Sequence, residues 1–292
     1  MAEKTYKWLS ITIILALVVS SLVPLLYVLA TSLVTEKEYL AKGGFILFPS
    51  EPTLLAYKRL FNGSLFTDAL LVSATRTALG TVLTLATTTM LAYIVSRKSM
   101  PGRKPVLLAV LITILFNGGL IPTYLVVQEL HLLDSIWALV IPGLVDSWSV
   151  LVLKQFFENL PAEMEESAKM DGAGEIRLMT NIMIPMALPA MAAIGLFTAV
   201  GQWNAWFDAM IYLHNPKWYP LQLLISNMFS SSALTSMGNV AQTTALVNMQ
   251  NRVSTETLKM ALVVFGTVPI LCVYPFLQKY FTKGMYLGAV KG

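Results

Sequence analysis

Long apolar runs separated by short polar ones dominate the chain, and most are too long for strands or for the helices of a small soluble core. A helix crossing the hydrocarbon of a bilayer needs about 20 mostly apolar residues at a rise of about 1.5 Å each. Six stretches qualify, at roughly 8–33, 68–96, 105–128, 136–157, 184–213 and 258–281. The pattern predicts an all-α membrane protein with six transmembrane helices in one domain, 1–292. The second run, "DALLVSATRTALGTVLTLATTTMLAYIVS", is the least oily, and its Ser, Thr, Ala and Gly suit close helix packing inside a bundle. Two longer segments lie between runs, 34–67 and 214–257. The second is Ser/Thr/Asn/Gln-rich with amphipathic pieces, which fits either an extracytoplasmic docking surface or a solvated connector.

Composition sharpens this picture. Of 292 residues, 56% are hydrophobic and 12% charged, about half the charged fraction of a soluble domain. The net charge of +4 is scattered at segment ends and forms no stripe, so nucleic acid is set aside as a partner. A single cysteine, Cys272, allows no intrachain disulfide and reads as a packing residue. His131 and His214 are far apart, and no Cys/His or His-Glu-x-x-His pattern offers a metal site. The basic start, followed by more than twenty apolar residues, reads as an uncleaved membrane helix.

Lys and Arg in short flanks set the orientation. Arg97, Lys98, Arg103 and Lys104 crowd one short loop with no acid, an inside mark. Lys4 and Lys7 mark the N-terminus and Lys279, Lys283 and Lys291 the C-terminus, whereas "QELHLLDS" has neither Lys nor Arg. With six spans, both termini and residues 158–183 then lie in the cytoplasm.

In that cytoplasmic segment, "ENLPAEMEESAKMDGAGEIRLMTNIMIPMALP", Pro161 stands where a helix begins. Glu163, Glu165 and Glu166 favour the positive end of its dipole, and Gly172 and Gly174 stop or turn it. The element is a short helix, a corner and a second helix feeding span five at Pro185. On its residues alone it is either a solvated surface helix or a lever.

The spacing resembles the permease subunits of ATP-binding-cassette (ABC) importers, whose cytoplasmic loop reads E-A-A, three residues, G, nine residues, I-x-L-P. Here Glu166-Ser167-Ala168 is followed by Gly172 and then by Ile182-Met183-Ile184-Pro185. Ser167 for Ala and Ile184 for Leu are the departures. "GQWNAWFDAMIYL" and "YPFLQKYFTKGMYLGAVKG" are similar to the carbohydrate-uptake branch that includes the second membrane subunit of the maltose importer. The tract 201–225 looks like a sub-branch for complex or acidic oligosaccharides, alginate importers among them. The resemblance implies the type I ABC importer permease fold and a place in the bacterial cytoplasmic membrane. It also implies a heterodimer with a homologous permease, two ATPase subunits and an extracytoplasmic solute-binding protein. Glu165, Glu166, Ser167, Ala168, Asp171, Gly172 and Pro185 would then couple to the ATPases, and the tail 284–292 would either reach toward them or fray. Gly-Lys occurs nowhere, so the chain lacks the phosphate-cradling P-loop. The chain is expected to be non-catalytic and free of cofactors, with ATP and Mg held by the ATPases.

Polar residues within spans are the candidates for the substrate pathway. Asp146 and Trp148 fall about 15–20 Å into span four, near mid-membrane. Asn117, with Gly118, Gly119 and Pro122, interrupts span three and opens backbone to a cavity, and Tyr124 follows. Trp203 and Asn204 either line the pathway or close its outer gate. Amides and aromatic faces suit the hydroxyl edges and C–H faces of sugars. Arg76, deep in span two, either pairs with Asp146 or Asp208 or attracts carboxylates of an acidic sugar. An intramembrane hydrolase would want a second acid or a base beside Asp146, and none is evident. A channel or secondary transporter for another small solute is the alternative, but no repeat relates the two halves.

Overall fold

The computed structural model describes residues 2–235 and 254–289, and every regular element among them is helical. The chain gathers into two compact units where one domain was expected. They are residues 1–67 with 224–269, and residues 68–223 with 270–292.

In the first unit, α1 (Ala2–Ser32) carries exposed apolar side chains along almost its whole length, as suits a helix whose solvent is hydrocarbon. Two short helices follow, α2 (Glu36–Ala41) and α3 (Leu55–Phe61). Glu38 holds this segment together. Its carboxylate accepts from Lys42 Nζ at 2.7 Å and from the backbone of Ser50, and those bonds, the lysine first, pull its pKa down to about 2. The unit also contains most of α13 (Leu221–Thr235) and the start of α14 (Thr255–Ala289). The expected outer loop 214–257 is therefore partly helix, and its residues 236–253 lie outside the described residues. So do the last three residues of the tail. Cys272, expected to pack, is exposed.

The second unit starts from α4 (Ser64–Ser96), which is continuous across span two. Its small residues do what the composition predicts: Ser73, Thr84, Thr88 and Thr89 are buried. At Gly80 a β-carbon would stand 2.7 Å from the Gln202 side chain, so a larger residue there would have to displace the amide end of Gln202. Span three is broken into α5 (Arg103–Leu115) and α6 (Leu120–Glu129), bent by 118°. Gly119 takes a φ of 91° at the break, and Asn117 Oδ1 accepts from its N–H at 2.9 Å. Span four is broken into α7 (Ile136–Val140), extended by a 3-10 turn to Gly143, and α8 (Ser147–Glu158), bent by 48°.

Helix α9 (Ala162–Met170) and the short α10 (Glu175–Leu178) follow. A π-turn (Met179–Met183) joins α10 to α11 (Ile184–Asn204). The π-turn has a local cause, because Pro185 has no N–H for the carbonyl four residues back and its ring crowds that carbonyl. Span five ends its long helix at Asn204, not 213. Ala205 turns to ψ 128°, and α12 (Phe207–Tyr212) starts afresh. Among the described residues, four helices are long and apolar enough to cross a membrane, or six when each bent pair counts as one span.

One apolar core ties α4, α8, α9, α10 and α11 together, and a second joins α6, α7 and α12. Ala92, Tyr93 and Val95 of α4 meet Val150, Leu153 and Phe157 of α8, Ala168 of α9, Leu178 of α10, and Ala187 and Ile194 of α11. Elsewhere Asp134 accepts from the backbone N–H groups of His214 and Asn215, joining the α6–α7 turn to the segment after α12. These bonds hold the carboxyl below its usual range.

Candidate functional site: an acidic helix and a cavity at broken spans

The acidic stretch resolves into a built helix end. Pro161 is the residue before the first helical turn, with ψ at 127°, one position earlier than a first helical residue. At the other end Ala173 N–H donates to the Ala168 carbonyl at 2.9 Å and Gly172 N–H to that of Lys169 at 3.0 Å. That pair of bonds is the Schellman ending, which needs a left-handed residue at its corner. Gly172, at φ 75°, supplies it. A β-carbon on Gly172 would meet nothing within 4 Å, so backbone conformation alone asks for glycine there. Gly174 has an ordinary extended backbone and caps α10.

The motif spacing now has a physical reason. Ala168 is buried in the shared core, and its carbonyl receives the corner bond. A small residue is needed there, four positions before the glycine. Glu163, Glu166 and Ser167 are exposed beside it. Glu165 differs: Arg97 Nη1 and Lys169 Nζ both donate to its carboxylate. Burial pushes this carboxyl up, but Lys169 and Arg97 outweigh that and bring it below its usual value. A hollow of about 310 Å³ opens beside α9, lined by Ser167, Ala168, Asp171, Arg177 and Asn181 among others.

Deeper in the unit, a cavity of about 500 Å³ lies where spans four and five are broken. Asp146 and Trp148 line it, together with Arg76, Gln202 and Asp208. Asp146 also caps α8, accepting from Ser149 N–H at 3.2 Å. Breaking a helix frees carbonyls, and α4 satisfies them at both breaks. Thr84 Oγ1 donates to the Gly143 carbonyl at 3.2 Å, and Thr87 Oγ1 donates to that of Leu144. Arg76 donates to the Ala205 carbonyl at 3.1 Å, to Gln202 Oε1 at 3.0 Å, and to both oxygens of Asp208. Arg76 is 2% exposed and pairs with Asp208, not Asp146.

Four pathway candidates lie elsewhere. Trp203 is buried and is not among the residues lining the cavity. Its neighbour Asn204 is exposed and approached by Gln222 Nε2 at 3.5 Å. Tyr124 stacks on Tyr212 with ring centroids 6.3 Å apart. Asn117 makes the local turn at the span-three break. Sequence reasoning missed Thr84 and Thr87; the Thr87 hydroxyl also lies 3.0 Å from the Leu83 carbonyl and 3.1 Å from that of Thr84 in its own helix, so its residue type does not announce a second helix as partner. It also missed Tyr93 and Glu175, which flank the Arg97 contact.

No protein-family model matches the chain. Over all 292 residues it is 37% identical to the polygalacturonan/rhamnogalacturonan transport system permease protein YtcP of Bacillus subtilis (strain 168), covering 100% of both chains. The chain belongs to the permease subunits of ABC carbohydrate importers. Protein LplC of the same organism is 42% identical over 273 residues, 93% of this permease and 90% of LplC. A crystal structure of a bacterial ABC transporter involved in the import of the acidic polysaccharide alginate contains a chain of the same fold. The two match with a TM-score of 0.87 at 27% identity, over 96% of this permease and 98% of that chain. A second match has a TM-score of 0.56 at 15% identity, over 92% of each chain, and carries the fold alone. It comes from a bacterial alginate ABC transporter in complex with an alginate pentasaccharide-bound periplasmic protein. This permease is therefore a membrane-spanning subunit for sugar or oligosaccharide import.

Proposed function

We propose that this permease pairs with a homologous permease and moves an oligosaccharide, acidic and alginate-like, into the cytoplasm. It receives the sugar from an extracytoplasmic binding protein and works by ATP-driven alternating access. The observation carrying this reading is α9, an acidic helix whose exposed Glu166 stands beside a buried Ala168 and a left-handed Gly172. Such a helix offers a groove-docking face while its back is fixed to the spans. Two separate ATPase subunits bind ATP and Mg, and closure of their dimer drives α9. Arg103 donates to Glu158, so the basic loop 97–104 lies at the α8–α9 end of the unit, and both support a cytoplasmic placement. Both chain termini are assigned to that side.

Trp148 and Asp146, exposed to the cavity, suit a sugar's C–H face and hydroxyls. Arg76 is consumed by Asp208, and the cavity lining of this chain carries one cation against two carboxylates. Reconstitution with the partner permease, ATPases and binding protein in vesicles tests the reading with labelled neutral and uronate oligosaccharides. ATP-dependent uptake of a uronate oligomer is expected. Uptake without ATP would instead mean a channel or secondary transporter.

A further inference from the structure

Arg97, the first residue past the end of α4, touches three parts of the cytoplasmic-type layer at once. Its Nη1 donates to Glu165 in α9. Its Nη2 donates to the Tyr93 hydroxyl of α4 at 2.8 Å, and its guanidinium carbon lies 4.4 Å from the centroid of that ring. The Tyr93 hydroxyl in turn donates to Glu175 Oε2, at the start of α10, at 2.6 Å. Span two, the coupling helix and the base of span five are thus tied through one guanidinium and one phenol.

The tie is incomplete in a telling way. Arg97 Nε is buried and has no hydrogen-bond partner, while the same Glu175 oxygen stands 3.8 Å away. A buried guanidinium N–H without an acceptor is costly, and charge-assisted bonds close at about 2.8 Å. A shift of about 1 Å by Glu175 would move it from the phenol to Nε, at the length such bonds adopt. The π-turn at 179–183, four residues further along the same helix, gives that shift a soft place, since widened turns can slip back toward α geometry.

We propose that Arg97 is a positioning residue, the joint through which movement of α9 reaches spans two and five together. Glu175 exchanges the Tyr93 hydroxyl for Arg97 Nε as that movement occurs. The proposal rests on the ATPase-driven reading above. It goes further by splitting the acidic stretch: Glu165 serves the joint and Glu166 serves the ATPase.

Two measurements test it. In reconstituted complexes, the ratio of sugar transported to ATP hydrolysed is compared for wild type, Arg97→Gln and Arg97→Lys. Lysine keeps the charge but lacks the planar fork that spans three partners. The ratio is expected to fall about 10-fold in Arg97→Gln and about threefold in Arg97→Lys, with the complex still co-purifying. A wild-type ratio in Arg97→Lys overturns the joint, and that variant decides should Arg97→Gln fail to assemble. In the full-length permease alone, hydrogen exchange in Arg97→Gln is expected to rise about fivefold in both 162–170 and 175–183. A rise confined to α9 also overturns the proposal. A wild-type complex without ATP-dependent uptake sinks the ATPase reading instead, and the exchange result then stands by itself.

Discussion

Two arginines of the same helical region make opposite use of the same side chain. Arg76 lies mid-helix in α4, where donors from Nε, Nη1 and Nη2 all reach acceptors on α11, α12 or the break between them. Arg97 lies at the helix end, bridges to α9, and leaves Nε without an acceptor. A guanidinium offers five donors in a fixed fork. Where an acceptor meets every face used, the fork sets one geometry. Where a donor is spare and an acceptor stands just out of reach, two geometries lie close in energy. The deep arginine is thereby a clamp that keeps a broken span in shape, and the terminal one a joint that lets the base of that span move.

The largest effect expected from breaking this comparison is at the clamp. Arg76→Met strips Asp208 of its counter-charge and leaves the Ala205 carbonyl without its donor. Removing one partner of a buried pair costs roughly 3–5 kcal/mol. Asp208, whose side chain is 31% exposed, places this change toward the lower end. A lower thermal midpoint in detergent should report it, and Arg76→Met with Asp208→Asn should recover most of the loss. Uptake is expected to fall equally for neutral and uronate oligosaccharides. Selective loss of uronate uptake would make Arg76 a carboxylate reader and end the distinction between the two arginines.

What could be read from the chain follows the range of the forces involved. Hydrophobic length marked the membrane runs, and Asn117-Gly118-Gly119 with Pro122 marked the break in span three, because those signals are local to the backbone. Gly172 was legible for the same reason, as a left-handed φ asks for glycine whatever surrounds it. The partner of Arg76 was left open between two aspartates. A cation inside a span demands an acid, but 132 residues separate it from the one it has. Glu165 and Glu166 are adjacent and alike in type, yet only packing of α9 on α4 sends one inward and leaves the other exposed. Trp203 was left open between lining the pathway and closing its outer gate, because an aromatic residue near polar neighbours suits either; in this chain it is buried.

A smaller effect should separate the lever's corner from its joint. Gly172→Ala meets open space, so its cost is conformational, about 1–2 kcal/mol for a left-handed alanine. Gly172→Asn, which tolerates that region, should cost less. Both should weaken co-purification with the ATPases in that order while leaving the thermal midpoint within a few degrees of wild type. A loss equal to that of Arg76→Met would mean that the corner, too, is part of the rigid frame.

The smallest effect is electrostatic and belongs to the joint. Glu165 titrates below its ordinary value in the folded permease, because Lys169 and Arg97 together outweigh the cost of burial. A depressed folded pKa adds stability that is complete above the unfolded value and is lost as pH falls through the folded one. The ordinary value is 4.5, so attachment of α9 should be constant from pH 8 down to about 5 and should loosen only in more acidic solution. Solvent around this partly exposed pair holds the contribution to about 1 kcal/mol or less. The midpoint of Glu165→Gln should therefore sit slightly below wild type at neutral pH, with the gap closing under acid conditions. A gap that instead closes on the alkaline side would show that a different group, not the Glu165 carboxylate, holds α9 to Arg97.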